Sequence, residues 1–193
     1  MNFIIVGCGG LGSTLSYHLM KKVSNIKNII LVDSDIIEND NIICGKYISD
    51  FPLYLRNQPK SLLIEYMMNN KNVNTRTKNK KFLKNKIKEY RDYIKIDCSD
   101  NIEVSNMFNY KLNIDGHYGL IISNPENNTE NLDTYYRYGR SLEYTEKFSN
   151  IFLEIFNNKT IYNNKMIINL ITGEIIDVTN INRRFLCTGI ITN

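Results

Sequence analysis

Gly7, Gly9 and Gly12 form a G-x-G-x-x-G pattern. An apolar run, Asn2 to Val6, leads into it, and Leu15, His18, Leu19 and Val23 recur at helical spacing after it. Strand, glycine turn and helix in that order suit a phosphate. Glycine turns tightly, its bare backbone lets an anion approach, and the helix start offers free N–H groups at the positive end of the dipole. Asp33 lies 21 positions beyond Gly12, at the end of a second apolar run, Asn28 to Asp33. A carboxylate placed there can accept hydrogen bonds from ribose hydroxyls. The pair of features predicts an adenine nucleotide held over the N-terminal loop. The plainer alternative is a tight turn that binds nothing.

These residues need a frame, and the pattern of apolar residues supplies one. The first strand, the helix and NIILVD make a βαβ unit of the right length for a parallel, right-handed crossover. Pro59 is placed for a first helical turn, with Leu62, Leu63, Tyr66 and Met67 as its apolar face. Residues 72–76 read as a third strand and the lysine-rich stretch to Tyr90 as helical. Tyr93 to Cys98 reads as a strand, and Asp100-Asn101 as the start of a helix running to about Lys111. Tyr118 to Ser123 is a further strand, and 124–147 is a polar, tyrosine-bearing loop long enough to have a function or a partner. Residues 160–179 read as a hairpin turning near Thr172-Gly173. The expected fold is therefore α/β and Rossmann-like: a mainly parallel sheet flanked by helices, with an antiparallel C-terminal extension. A single domain is expected over 1–193, with its motif-bearing core at 2–123 and a less typical part at 124–193.

Composition narrows the function classes. The 193 residues are 42% apolar, enough for a packed core rather than a disordered chain. No stretch approaches the roughly 20 apolar residues of a membrane span, and Met1-Asn2 opens without a basic leader. A soluble, cytoplasmic protein is expected. Cys8, Cys44, Cys98 and Cys187 are scattered without a C-x-x-C pair, which argues against a structural zinc site or a disulfide framework. His18 is expected to pack against the sheet and His117 to mark a loop. Net charge is +4, yet residues 71–91 carry nine Lys/Arg and one acidic residue. That run reads first as a solvated face, with an acidic partner or nucleic acid as the sharper alternative.

More polar positions then fall into a series. Gly7-Cys8-Gly9-Gly10-Leu11-Gly12-Ser13 is followed by Val32-Asp33-Ser34-Asp35-Ile36-Ile37-Glu38-Asn39-Asp40-Asn41-Ile42, by Gln58-Pro59-Lys60, and by Asp97-Cys98-Ser99-Asp100-Asn101 with Asn106 and Asn109. Over about residues 2–110 this series resembles the ThiF/MoeB superfamily, which includes the adenylation domains of ubiquitin-activating enzymes. A nicotinamide-dependent oxidoreductase, the other user of such a start, leaves Asn41, Lys60 and Asp100 unexplained.

The resemblance implies a reaction in which a C-terminal carboxylate attacks the α-phosphate of ATP, giving an acyl-adenylate and pyrophosphate. It implies ATP and Mg²⁺ as cofactors. Gly7, Gly9, Gly10 and Gly12 would cradle phosphate, and Asp33 would hold the ribose. Asp35 and Asn41 would lie beside the sugar and phosphates. Lys60 would neutralise phosphate charge, and Asp100 would hold Mg²⁺ through oxygen. The alternatives are a turn built by Asp35 and Asn41, a solvated Lys60, and an Asp100 that caps its helix.

The implied partners are a ubiquitin-like protein, a sulfur-carrier protein or a peptide, and a second subunit in a homodimer or heterodimer. Nucleic acid is not expected. Where the family carries a phosphate-contacting arginine, this chain has Cys44, with Lys46 close enough to fill the slot; lysine lacks arginine's bidentate fork. Ser105 replaces a second family arginine. An active adenylyltransferase and a catalytically degenerate partner subunit both remain open. Cys187, near Arg183 and Arg184, is a weak candidate for an acyl relay and reads first as a buried structural cysteine, and Tyr135 to Arg140 reads as an interface, then a plain loop, then a stacking surface for single-stranded nucleic acid.

Overall fold

The computed structural model describes residues 1–38, 56–62, 65, 73–99, 107–115, 117–123, 142–158 and 165–177. Its centre is strand β1 (Asn2–Val6), flanked by β2 (Asn28–Asp33) and β4 (Ile94–Asp97). Strand β3 (Asn74–Asn79) forms one edge beyond β2. Beyond β4 follow β5 (Tyr110–Asp115), β6 (Tyr118–Ser123), β7 (Lys165–Asn169) and β8 (Ile175–Asp177). The sheet has eight strands in the order β3-β2-β1-β4-β5-β6-β7-β8. Strands β3 through β5 run parallel, and β5 through β8 pair antiparallel. The expected mainly parallel α/β sheet with an antiparallel C-terminal extension is thus the fold observed.

Strands β1 and β2 read as unbroken apolar runs because both faces of the sheet are covered. Phe3, Ile5, Ile29 and Leu31 face one core, shared with Leu11, Leu15 and Leu19 of helix α1 (Gly10–Lys22) and with Phe148, Phe152 and Leu153 of helix α2 (Leu142–Asn158). Ile4, Val6, Ile30 and Val32 face a smaller core with Phe82, Tyr90 and Phe108. The three leucines of α1 recur every fourth residue, and Lys21 and Lys22 complement its C-terminal dipole. Ser13, Thr14 and Ser16 are fully buried, so small side chains bring α1 close to its neighbours; the Thr14 hydroxyl meets that of Thr145 on α2 at 3.4 Å.

Where α2 crosses β6, Gly119 has no room for a side chain. A Cβ there would lie 2.3 Å from Cδ2 of Phe148, which is fully buried. Gly119→Ala should therefore destabilise the chain by about 1–3 kcal/mol, the usual cost of overpacking a core. Urea unfolding of the variant measures this; an unchanged midpoint would show that α2 can shift to accommodate the methyl.

Three expectations are corrected. The third strand is Asn74–Asn79 rather than 72–76, because pairing with β2 sets the register: Asn28 opposes Asn74 and Asp33 opposes Asn79. Asparagine side chains fix its start, with Asn74 donating to Asn28 at 2.9 Å and Asn28 to Asn2 at 2.8 Å. The helix expected to reach Lys111 does not, since Tyr110–Asp115 is strand β5. Tyr110, Leu112 and Ile114 alternate with polar residues, a period-2 pattern that suits a strand paired with β6 and burying Leu112 and Ile114 in the core. The loop expected over 124–147 ends before Leu142, where α2 begins. Its apolar stripe of Phe148, Phe152 and Ile155 is buried, and Tyr144 in its first turn packs against the same core.

Strands β1, β2 and β6 stand where expected, β4 within Tyr93 to Cys98, and the hairpin turns at Thr172-Gly173, where Gly173 has φ +82°. The lysine-rich run includes edge strand β3 and a 3-10 helix at Lys84–Tyr90, with Arg76, Lys80, Lys81, Lys84, Lys86 and Lys88 exposed. Cations on an edge strand discourage pairing with another chain.

Candidate nucleotide site

The parallel strands place their C-terminal ends together, and the chain reverses direction across the sheet between β1 and β4. Ligands of open α/β sheets bind at such a switch point. Gly7 follows β1 there with φ +89°, a left-handed conformation that favours glycine. Its amide donates to Val32 O at 2.9 Å, and Cys98 N donates to Val6 O at 2.8 Å, so the ends of β1, β2 and β4 are tied.

The glycines have different reasons to be there. A Cβ on Gly12 would stand 1.8 Å from Gly7 O, and one on Gly7 would lie 2.7 Å from both Cys98 C and Ser99 N. Both are close-packing positions. Among the described residues a Cβ on Gly9 would meet nothing within 4 Å, so the loop is open towards them at that residue. Gly9 is the N-cap of α1 and Gly10 its first residue. Among the described residues no side chain caps this helix end, and no acidic residue stands in its first turn. Its positive end is therefore not neutralised by a cap or a first-turn carboxylate, as an anion site requires.

Asp33 organises the loop. Its carboxylate accepts from Cys8 N at 2.5 Å and from Asp35 N at 2.8 Å. Burial raises its pKa, opposed by those two backbone hydrogen bonds. With the folded pKa above the reference value of 3.8, this group contributes stability that is present below that value and is lost as pH rises through the folded pKa. The stability of the parent minus that of Asp33→Asn should therefore decline as pH rises through this window. Urea unfolding of both proteins at a series of pH values checks this; a difference that grows with pH would contradict it.

Lys60 joins the same end of the sheet. Ile36 bridges Pro59, Ile37 N donates to Gln58 O at 2.8 Å, and Lys60 N donates to Asp35 O at 2.9 Å. The Lys60 ammonium then meets Asp35 Oδ2 at 3.0 Å, with side-chain exposures of 14% for lysine and 64% for aspartate. Lys60 lies close enough for its charge to act on both Asp33 and Cys8. Cys8 itself is fully buried, and burial first, then the charge of Asp33, pushes its thiol pKa well up. A buried thiol whose pKa is raised is a poor nucleophile, and Cys8 packs in the larger core.

The structure thus brings together Gly7, Gly9, Gly10, Gly12, Asp33, Asp35 and Lys60. Asn41, Lys46 and Asp100 lie outside the described residues, as do Cys44, Ser105, Asn106, Cys187, the run Tyr135 to Arg140, and Leu63, Tyr66 and Met67. Asn109 serves the framework: its amide donates to Lys95 O at 2.9 Å and its Oδ1 accepts from Lys95 N at 2.8 Å. His18 is half-buried, stacked edge-on against Tyr17, and burial lowers its pKa. His117 follows β5 and rests against Tyr118. Among the described residues no three His, Cys, Asp or Glu side chains group as a metal site.

Sequence reading gave no role to two charged residues at this end. Asp97 is fully buried at the end of β4, and its Oδ2 accepts from Lys111 Nζ at 2.9 Å; Lys111 is nearly as buried. Each strand carries further polar residues, Lys95 on β4 and Asn113 and Asp115 on β5, so the sequence does not single out this pair; burial does, because a buried charge needs a partner.

No family model matches this sequence, and no curated protein matches it. Solved structures do match it. Escherichia coli MccB with succinimide superposes with a TM-score of 0.65 at 15% identity, over 91% of this chain and 62% of that one. E. coli MccB with ATP gives 0.64 at 16% identity, again over 91% and 62%. PaaA gives 0.66 at 16% identity over the same shares. The chain therefore spans about 62% of the length of these neighbours. At such identities the likeness is one of fold: the chain shares the fold of MccB and PaaA.

Proposed function

We propose that this chain is an ATP-dependent adenylyltransferase acting on the C-terminal carboxylate of a peptide or of a small ubiquitin-like or sulfur-carrier protein. The observation that carries the reading is the convergence of an uncapped helix start, the open side of Gly9, the Asp33 carboxylate and the Lys60 ammonium at the switch point of this fold. MccB, a microcin C7 biosynthetic enzyme, has been crystallised with ATP and with MccA, which favours a nucleotide and a peptide over other ligands of the fold. The whole of 1–193 is taken to act as one nucleotide-binding domain, in a homodimer or with a second subunit.

In this proposal the Gly7–Gly12 loop and the start of α1 hold phosphate, Asp33 accepts from the ribose, and Asn41 hydrogen-bonds beside it. Asp35 orients Lys60, whose ammonium meets phosphate. Lys46 fills the place of the missing arginine. The residues present fit Mg²⁺ only in part. Asp100 directly follows the turn at Ser99, and Mg²⁺ is commonly held by one or two carboxylates with nucleotide phosphates, so no larger protein cluster is needed. Mg²⁺ would offset phosphate charge. In the reaction a carboxylate oxygen bonds to the α-phosphorus, the bond to the bridging oxygen of the β-phosphate breaks, and pyrophosphate leaves.

Calorimetry with ATP and Mg²⁺, and separately with NADH, tests the nucleotide. ATP is expected to bind and NADH not; tighter binding of NADH would overturn the reading in favour of an oxidoreductase. Peptide-dependent exchange of labelled pyrophosphate into ATP tests the chemistry. Cys44 in place of arginine favours one second reading, a nucleotide-binding partner subunit without activity. ATP binding with no exchange for any carboxylate tried would select it.

A further inference from the structure

Lys111 is 7% exposed and lies on β5, where its neighbours Leu112 and Ile114 are core residues. Its ammonium donates to Asp97 Oδ2 at 2.9 Å and also to the Ser99 carbonyl. Asp97 Oδ1 in turn accepts from the Ser99 amide at 2.8 Å and the Ser99 hydroxyl at 2.6 Å. A buried ion pair is a weak source of stability, because well-packed apolar side chains of similar volume often do as well or better. What this pair fixes is the turn leaving β4. That turn is in contact with the glycine loop, since a Cβ on Gly7 would press on Cys98 C and Ser99 N at 2.7 Å. The next residue in the chain is Asp100.

We propose that Lys111 is a positioning residue for the nucleotide site: through Asp97 and the Ser99 carbonyl it clamps the turn after β4 against the glycine loop, and so sets where the chain emerges beside the phosphates. A hydrophobic residue would fill the same volume, but it would leave the Ser99 carbonyl without this donor and the turn free to move. The inference rests on the nucleotide-binding reading and adds a residue to it.

The test has two arms. The first needs no nucleotide. Hydrogen exchange of the parent should show the Ser99 amide protected as strongly as those of β4, and in Asp97→Asn/Lys111→Met, which leaves no orphaned charge, that amide should exchange at least about tenfold faster while the thermal midpoint stays near the parent's. The second arm measures binding. The double variant should lose about tenfold or more in affinity for ATP with Mg²⁺, as loss of an outer-shell partner commonly does, with AMP affinity little changed; Lys111→Arg should retain most of both. Equal losses for AMP and for ATP with Mg²⁺, or parent-like binding of both, would overturn the clamp.

If the parent binds no nucleotide, the functional reading fails, and unaltered Ser99 exchange in the double variant separately refutes the clamp. If the double variant does not fold, exchange in the parent decides, and a Ser99 amide as unprotected as an open loop refutes it.

Discussion

Gly12→Ala should unfold or nearly unfold this protein, whereas Gly9→Ala should leave it folded and impair only its ligand. The two positions belong to one motif and differ in what surrounds them. A methyl on Gly12 would stand 1.8 Å from the Gly7 carbonyl oxygen, which is backbone held in place by the strand ends. Neither can yield without separating α1 from β1, so a loss of about 3 kcal/mol or more is expected, at the upper end of overpacking. Gly7→Ala should also be severe, because it adds backbone contacts at 2.7 Å to a φ of +89°.

At Gly9 a Cβ meets nothing within 4 Å among the described residues, so the stability loss should stay near the ~1 kcal/mol of a poorer N-cap. The methyl would, however, occupy the side on which a phosphate must reach the backbone. Loss of one hydrogen bond to a charged group, roughly 1.5–3 kcal/mol, corresponds to about 10- to 100-fold in affinity. Urea unfolding and calorimetry with ATP on the three variants measure both quantities. Equal effects at Gly9 and Gly12 would mean that the loop is a packing device only.

Lys60→Ala should show the reverse division, with little lost in stability and much in binding. Its partner Asp35 is 64% exposed, and ion pairs so open to solvent are worth about 0–1 kcal/mol. In the proposed site the same ammonium meets a triphosphate, so ATP affinity should fall about 10- to 100-fold and AMP affinity by less. Asp35→Asn should produce part of this loss by releasing Lys60. Lys46→Ala is expected to slow pyrophosphate exchange more than it weakens binding, since negative charge moves onto the leaving group as the bond breaks. Calorimetry with ATP and AMP, alongside the exchange assay, separates these outcomes. Unchanged ATP affinity in Lys60→Ala would remove Lys60 from the site and leave it as a partner of Asp35 alone.

The N-terminal half of this site is legible in local sequence. The glycine spacing, the two apolar strands and the acid at the end of the second are local features, each set by residues within one βαβ unit, and the structure places Gly7 to Gly12 and Asp33 together as that unit requires. Lys60 was legible as a residue type near a helix start. Its distance from Asp35 was not, because that contact spans 25 residues and depends on the bridge between Ile36 and Pro59. Strand Tyr110–Asp115 does carry a local signal, Tyr, Leu and Ile alternating with Lys, Asn and Asp, but its place in the sheet comes from pairing with β6 and burial of Leu112 and Ile114. Tertiary structure also decided the register of polar edge strand β3, whose alternation is too weak to read without β2 beside it. The pairing of Asp97 with Lys111 came last. Two charges 14 residues apart carry no local signal of contact, and only burial, which makes an unpaired charge so costly, explains why they meet.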